Sequence, residues 1–108
     1  MPPSRLNDGK FKYGGGCFHP NTGNIYCFPS DAGRVLKVEA STGRASLIGP
    51  MIEGVLQNKW QNGFLADNDK IYAIPCDAEG VLEIDPATDQ VFFFLFLIYQ
   101  FLILLVFN

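Results

Sequence analysis

Apolar and polar residues in the first 90 positions fall into short runs that occur twice. Asn24-Ile25-Tyr26-Cys27-Phe28-Pro29-Ser30-Asp31-Ala32 returns 46 residues later as Lys70-Ile71-Tyr72-Ala73-Ile74-Pro75-Cys76-Asp77-Ala78. Val35-Leu36-Lys37-Val38-Glu39 returns as Val81-Leu82-Glu83-Ile84-Asp85. Apolar-rich runs this short, bounded by Pro, Gly and Asp, predict strands. A repeat of 40 to 50 residues built from them marks one supersecondary unit that gains stability by stacking on a neighbour.

Each unit predicts four strands. The first is Gly15 to His19, matched by Gly63 to Ala66, and the second is Asn24 to Phe28, matched by Lys70 to Ile74. The second runs are apolar on both alternating faces, with Ile25 and Cys27 on one side and Tyr26 and Phe28 on the other. That pattern predicts cover on both sides. The third strand, Arg34 to Glu39 and Val81 to Asp85, alternates instead, so Leu36, Val38, Leu82 and Ile84 should face in while Lys37 and Glu83 face water. The fourth is Arg44 to Ile48, and Ala45 to Ile48 superimposes on Val91 to Phe94.

The connections are turn chemistry. Pro29 and Pro75 close a strand by lacking a backbone donor, and Asp31 and Asp77 follow where a carboxylate can close an Asx turn. Asp85-Pro86-Ala87-Thr88 suits a type I turn, and Glu39-Ala40-Ser41-Thr42-Gly43 does the same in the first unit. One gap is needed in the match, where His19 to Gly23 stands opposite Ala66 to Asp69. The chain therefore divides into an amino-terminal extension (1–11), a first unit (12–50), a linker (51–58), a second, incomplete unit (59–91) and an apolar tail (92–108).

The tail changes the picture. Where Gly49-Pro50 stops the first unit, the second runs on from Val91 to Phe107 with Gln100 as its single polar residue, and all 8 basic and 11 acidic residues precede Gln90. Seventeen residues is the lower edge of what spans about 30 Å of hydrocarbon as a helix. Three readings stand: a membrane helix over 91–107, which would make the protein membrane-associated; translated sequence beyond a truncated gene; and a long buried or aggregating strand. Without a membrane helix a cytoplasmic protein is expected. Met1 to Tyr13 has no apolar stretch and is not a secretory signal.

A net charge of −3 leaves no electrostatic footprint for nucleic acid. Three cysteines, Cys17, Cys27 and Cys76, are an odd number and suit reduced thiols. Candidate chemistry is thin. Gly14-Gly15-Gly16 lacks the Lys and the helix of a phosphate loop, and reads as a place where strands approach closely. Cys17, His19 and Cys27 could share a metal, yet the spacing is wrong for zinc and the repeat replaces His19 and Cys27 with Ala66 and Ala73. Buried thiols and a surface histidine are expected instead. Asp31 and Asp77 sit in equivalent turns and should lie a unit apart, and Trp60, matching Tyr13, should fill the niche between units. No residue marks catalysis, a metal or a cofactor.

The recurring Ile-Tyr-x-x-Pro-x-Asp-Ala-x-x-Val-Leu-x-Ile/Val-Asp/Glu-x-x-Thr resembles the blade repeat of YVTN-like β-propellers, related to Kelch- and NHL-type propellers, over Lys12 to Val91. Pro29 and Pro75 depart from the YVTN pattern. The resemblance implies an all-β protein of two four-stranded antiparallel blades, an incomplete propeller, with a helical apolar tail. It implies a non-catalytic interaction module that pairs with other blades or propeller chains, and the alternative is a fragment of a larger propeller or enzyme without independent activity. Fold alone assigns no ligand.

Overall fold

A computed structural model describes residues 12–52 and 57–95. They form eight strands and no helix: β1 (Tyr13–His19), β2 (Asn24–Pro29), β3 (Val35–Glu39), β4 (Ala45–Ile48), β5 (Trp60–Leu65), β6 (Ile71–Pro75), β7 (Gly80–Asp85) and β8 (Gln90–Leu95). The strands make two antiparallel meanders, β1-β2-β3-β4 and β5-β6-β7-β8, each neighbour in sequence being a neighbour in the sheet. This is the all-β pair of four-stranded sheets that the doubled pattern predicts.

The turns reproduce one another in detail. The Lys12 carbonyl accepts from Ser30 N (2.9 Å) and Ala32 N (3.1 Å), and the Lys59 carbonyl accepts from Cys76 N (2.7 Å) and Ala78 N (3.3 Å). Glu39 O accepts from Thr42 and Gly43 N–H groups as Asp85 O does from Thr88 and Asp89. Asp85 also accepts from Ala87 N through Oδ1 at 3.0 Å, which adds an Asx turn to the Asp85–Thr88 turn that the sequence predicts. Even the irregularity recurs: β1 takes one extra residue between Tyr13 and Gly16, and β5 takes one between Trp60 and Asn62.

The second unit is complete. Val91 to Leu95, placed by sequence at the onset of the tail, are ladder residues of β8, with Val91 opposite Ile84 and Phe94 opposite Val81. Phe and Val pack well on a half-covered pleated surface, and the strand simply continues where Gly49-Pro50 halts its counterpart. A helix starting at Val91 is thus replaced by strand for its first five residues. Among the described residues no helix is long and apolar enough to cross a membrane. Residues 96–108, where the rest of the expected helix falls, lie outside the described residues, as do the extension at 1–11 and positions 53–56 of the linker.

The two sheets stack with β1 and β2 against β5. Phe28, Tyr26 and Val35 from the first sheet meet Trp60, Ile71, Ala73, Leu82 and Ile84 from the second in a single apolar core. Close approach there depends on small residues. A Cβ on Gly63 would sit 2.6 Å from the Phe28 ring, and one on Gly14 would sit 2.6 Å from the Trp60 carbonyl oxygen, so the glycine run of β1 is the close-approach device that the sequence predicts.

Which faces are covered is less symmetric than the pattern predicts. In β2 Tyr26 and Phe28 are buried while Ile25 and Cys27 are half-buried; in β6 Ile71 and Ala73 are buried while Tyr72 and Ile74 are the more open. Each second strand has one covered face, and the two sheets cover opposite ones. The same geometry inverts β3. Leu82 and Ile84 face the core as expected, but Lys37 points toward the second sheet while Leu36 and Val38 lie on the outside. Stacking in one direction turns equivalent faces inward in one sheet and outward in the other.

Candidate interaction face and the polar joint

Three polar clusters tie the sheets together. His19, at the end of β1, is 2% exposed, with Nε2 2.8 Å from Asp69 Oδ1 and Nδ1 2.8 Å from Thr22 Oγ1. It is not the surface histidine expected from sequence, because its partner arrives from the β5–β6 turn, 50 residues away. The order carboxylate, imidazole, hydroxyl is that of a nucleophilic relay. Here Thr22 Oγ1 also accepts from Asn24 N at 3.4 Å and lies 3.4 Å from the His19 carbonyl oxygen, so the hydroxyl braces its own turn.

Asp89 makes the second cluster. Its Oδ1 accepts from the Tyr26 hydroxyl at 3.0 Å and its Oδ2 lies 2.6 Å from Lys37 Nζ. The bond to Asp89 holds the Lys37 ammonium above its ordinary value. Burial, with the Asp89 charge adding to it and a bond from Asn24 opposing, pushes the Tyr26 phenol up. Asp69 and Asp89 occupy positions where the first unit has Gly23 and Gly43, and all four have positive φ, 66° and 62° for the aspartates and 75° for both glycines. Asp tolerates that left-handed backbone better than most side chains do. The second unit therefore keeps the turn and gains a carboxylate aimed at the first.

The third cluster gathers at the linker. Asn58 donates its backbone N–H to Asp31 Oδ1 at 2.8 Å and its side-chain amide to Asp77 Oδ2 at 3.3 Å, so both aspartates meet on one residue although they sit in separate units. Gln61 donates to Ser30 Oγ at 2.8 Å and to Asn58 Oδ1. Beside them Lys59 is buried. Burial pulls its ammonium below the ordinary value, and the charge of Asp31 acts the other way. Trp60 donates Nε1–H to Gly80 O at 3.1 Å and stands edge-on to Phe93, filling a niche inside the second sheet's own face at the joint.

The thiols do not converge. Cys17 pairs with Tyr26 and Gly16 with Cys27, which places the Cys17 and Cys27 side chains on opposite faces. Burial raises both. Among the described residues no group of three His, Cys, Asp or Glu side chains could hold a metal ion.

The concave feature lies elsewhere, on the outer face of the second sheet. Phe64, Tyr72, Ile74, Pro75 and Val81 line an open apolar hollow of about 510 Å³. Phe64 and Ile74 are 51% and 52% exposed, and Phe92 and Phe94 stack beyond them on the same face. Ile74 stands where the first sheet has Phe28, which is 0% exposed. Sequence reasoning missed this face because a strand apolar on both sides shows that two neighbours are wanted without showing which is present.

No known family model matches the chain, and no characterised protein matches it in sequence.

Proposed function

We propose that the chain is a non-catalytic β-repeat interaction module that binds partners through the outer face of its second sheet. One observation carries this reading: the apolar face around Ile74 and Phe64 is open, although Phe28, the equivalent of Ile74 on the first sheet, is buried and the equivalent of Phe64, Cys17, is half-buried. Exposed apolar patches with a polar surround mark association sites. The polar clusters, in contrast, are spent on holding the two sheets together: His19, Tyr26, Lys37, Asn58, Gln61, Asp69 and Asp89 each bond a partner at a turn or across the joint.

The strand-turn pattern supports a β-propeller-like origin for the two units, as does the stacking of sheet on sheet. A second reading, a piece of a longer array whose further repeats cover the outer faces, draws on the same open faces. Transcript sequence on either side of the coding region separates the two, since further in-frame units of the same period would make this chain one part of a larger protein.

The test of the interaction face uses an apolar fluorescent dye, anilinonaphthalene sulfonate, with the full chain at low concentration. Dye emission should rise on binding and fall at least twofold in Phe64→Ser/Ile74→Ser. The stability of that variant should stay within about 0.5 kcal/mol per site, since the side chains are exposed. Dye emission indifferent to these substitutions would remove the face from consideration.

A further inference from the structure

Within this chain one joint is already built, and it specifies what fits the open faces. Tyr26 and Phe28 of β2 lie against the second sheet, whereas Tyr72 and Ile74 at the same positions of β6 are open. Ile71 and Ala73 of β6 lie against the first sheet, whereas Ile25 and Cys27 of β2 are on its outer face. The two outer faces are therefore unlike each other. One is the repeat equivalent of the first sheet's side of the joint, and the other is the equivalent of the second sheet's side.

We propose that a second copy of this chain docks head to tail, placing the outer face of its first sheet (Phe18, Ile25, Leu36) on the outer face of the second sheet (Phe64, Tyr72, Ile74). This rests on the interaction reading above and names the partner. The contact is heterologous, so it extends to a ring if the rotation closes and to an open stack if it does not.

Two details decide how the new joint compares with the built one. In the built joint the Phe28 ring covers Gly63, whose missing side chain makes room for it. Across copies the same arrangement places Ile74 over Gly16, and the permissive glycine is again present. The carboxylate ties do not recur: where the built joint has Asp69, Asp89 and Lys37, the new one has Gly23, Gly43 and Glu83. The joint between copies is an apolar contact without the three polar ties, and it is weaker than the joint inside the chain.

Sedimentation velocity of the full chain over a concentration series tests this. The expected mass rises above the 12.0 kDa of one chain. Ile74→Lys closes one face and Phe18→Lys the other; both positions are exposed, and Trp60 fluorescence checks that each variant is folded. Each variant alone should stay at one chain. Mixed in equal amounts, they should form a species of two chains and nothing larger, because one intact pair of faces remains. Gly43→Asp with Glu83→Lys transplants the Asp89–Lys37 tie into the new joint, with Tyr72 placed to add the hydroxyl bond that Tyr26 makes. That variant should associate about three- to tenfold more tightly.

A full chain that stays at one mass at every concentration overturns the proposal. So does association that survives either single substitution, which would place the contact on one face only or on residues 96–108. A mixture that fails to pair overturns it as well. If the full chain binds the apolar dye through Phe64 and Ile74 yet never self-associates, the interaction face stands and the partner is a different chain. If it neither binds dye nor associates, both readings fall and the face is covered from within the molecule.

Discussion

The Tyr26 hydroxyl donates to Asp89 Oδ1 at 3.0 Å, joining the second strand of the first sheet to the last turn of the second over 63 residues of sequence. Lys37 Nζ lies 2.6 Å from the other oxygen of the same carboxylate. One side chain on a left-handed turn thus holds a phenol and an ammonium from two neighbouring strands of the opposing sheet.

Removing that carboxylate should loosen the joint without disturbing the turn, provided the backbone is respected. Asp89→Gly keeps a residue suited to φ 62° and should cost about 1–3 kcal/mol for the lost phenol bond and the lost ion pair. Asp89→Ala should cost a further 1 kcal/mol or so for the left-handed backbone. In a cycle with Tyr26→Phe, the coupling to Asp89→Asn should be smaller than that to Asp89→Gly, since an amide oxygen still accepts from the phenol. Urea unfolding followed by Trp60 fluorescence measures all of these, and equal costs for the Gly and Ala variants would show that the backbone contributes nothing.

Stability should hold across neutral pH and fall at both ends. Lys37 and Tyr26 are both held above their ordinary values in the folded chain. Their contribution is complete below the unfolded values, about 10 for tyrosine and 10.4 for lysine, and is lost as pH rises through the higher folded ones. Asp85 is held below its ordinary value, chiefly by the Ala87 N–H and then by Lys70. Its contribution is present above about pH 3.9 and is lost as pH falls through the lower folded value. Lys37→Met should flatten the alkaline limb of a stability-against-pH curve, and Asp85→Asn, which keeps the Asx turn, should flatten the acid limb. Unchanged slopes in these variants would place the titrating groups elsewhere.

Gly63→Ala should be among the most damaging small changes in the chain. The added methyl would stand 2.6 Å from the Phe28 ring and closer still to the Tyr72 carbonyl oxygen, so the sheets must part or the strands must shift. The expected loss is about 1–3 kcal/mol, the range for overpacking a dense interior. Phe28→Ala should cost about 3–5 kcal/mol for the opposite reason, a cavity. Phe28→Leu should partly rescue Gly63→Ala by making room, and the absence of any rescue would mean that the backbone of β6 sets the limit.

Strands and turns were legible in the sequence because their causes are local. Pro29 and Pro75 end strands wherever the sheets lie, and Asp85 closes its turn by bonding Ala87 two residues on. The joint was not legible in the same way. His19 reads as a surface residue until Asp69 arrives from another turn, and Asp69 and Asp89 read as turn formers because that role is sufficient to explain them. The direction of stacking is likewise absent from a period of two: it marks Leu36 and Val38 as one face and Lys37 as the other, without showing which face meets the second sheet. The candidate face around Ile74 followed only when the covered and open halves of the repeat could be set side by side.

The ladders of each sheet join strands adjacent in sequence, whereas the ties of the joint close loops of 50 and 63 residues. Short-range hairpins form early and cheaply, and long closures wait for them. Folding should accordingly pass from two separately assembling meanders to a late docking step, in which His19, Tyr26 and Lys37 find their carboxylates. During that interval the inner face of the first sheet has two surfaces of related pattern to choose between, the inner face of a second sheet and the outer face of a first. On this view the two aspartates act as an address: they mark the inner face of the second sheet apart from the outer face of the first, which has Gly23 and Gly43 at those positions.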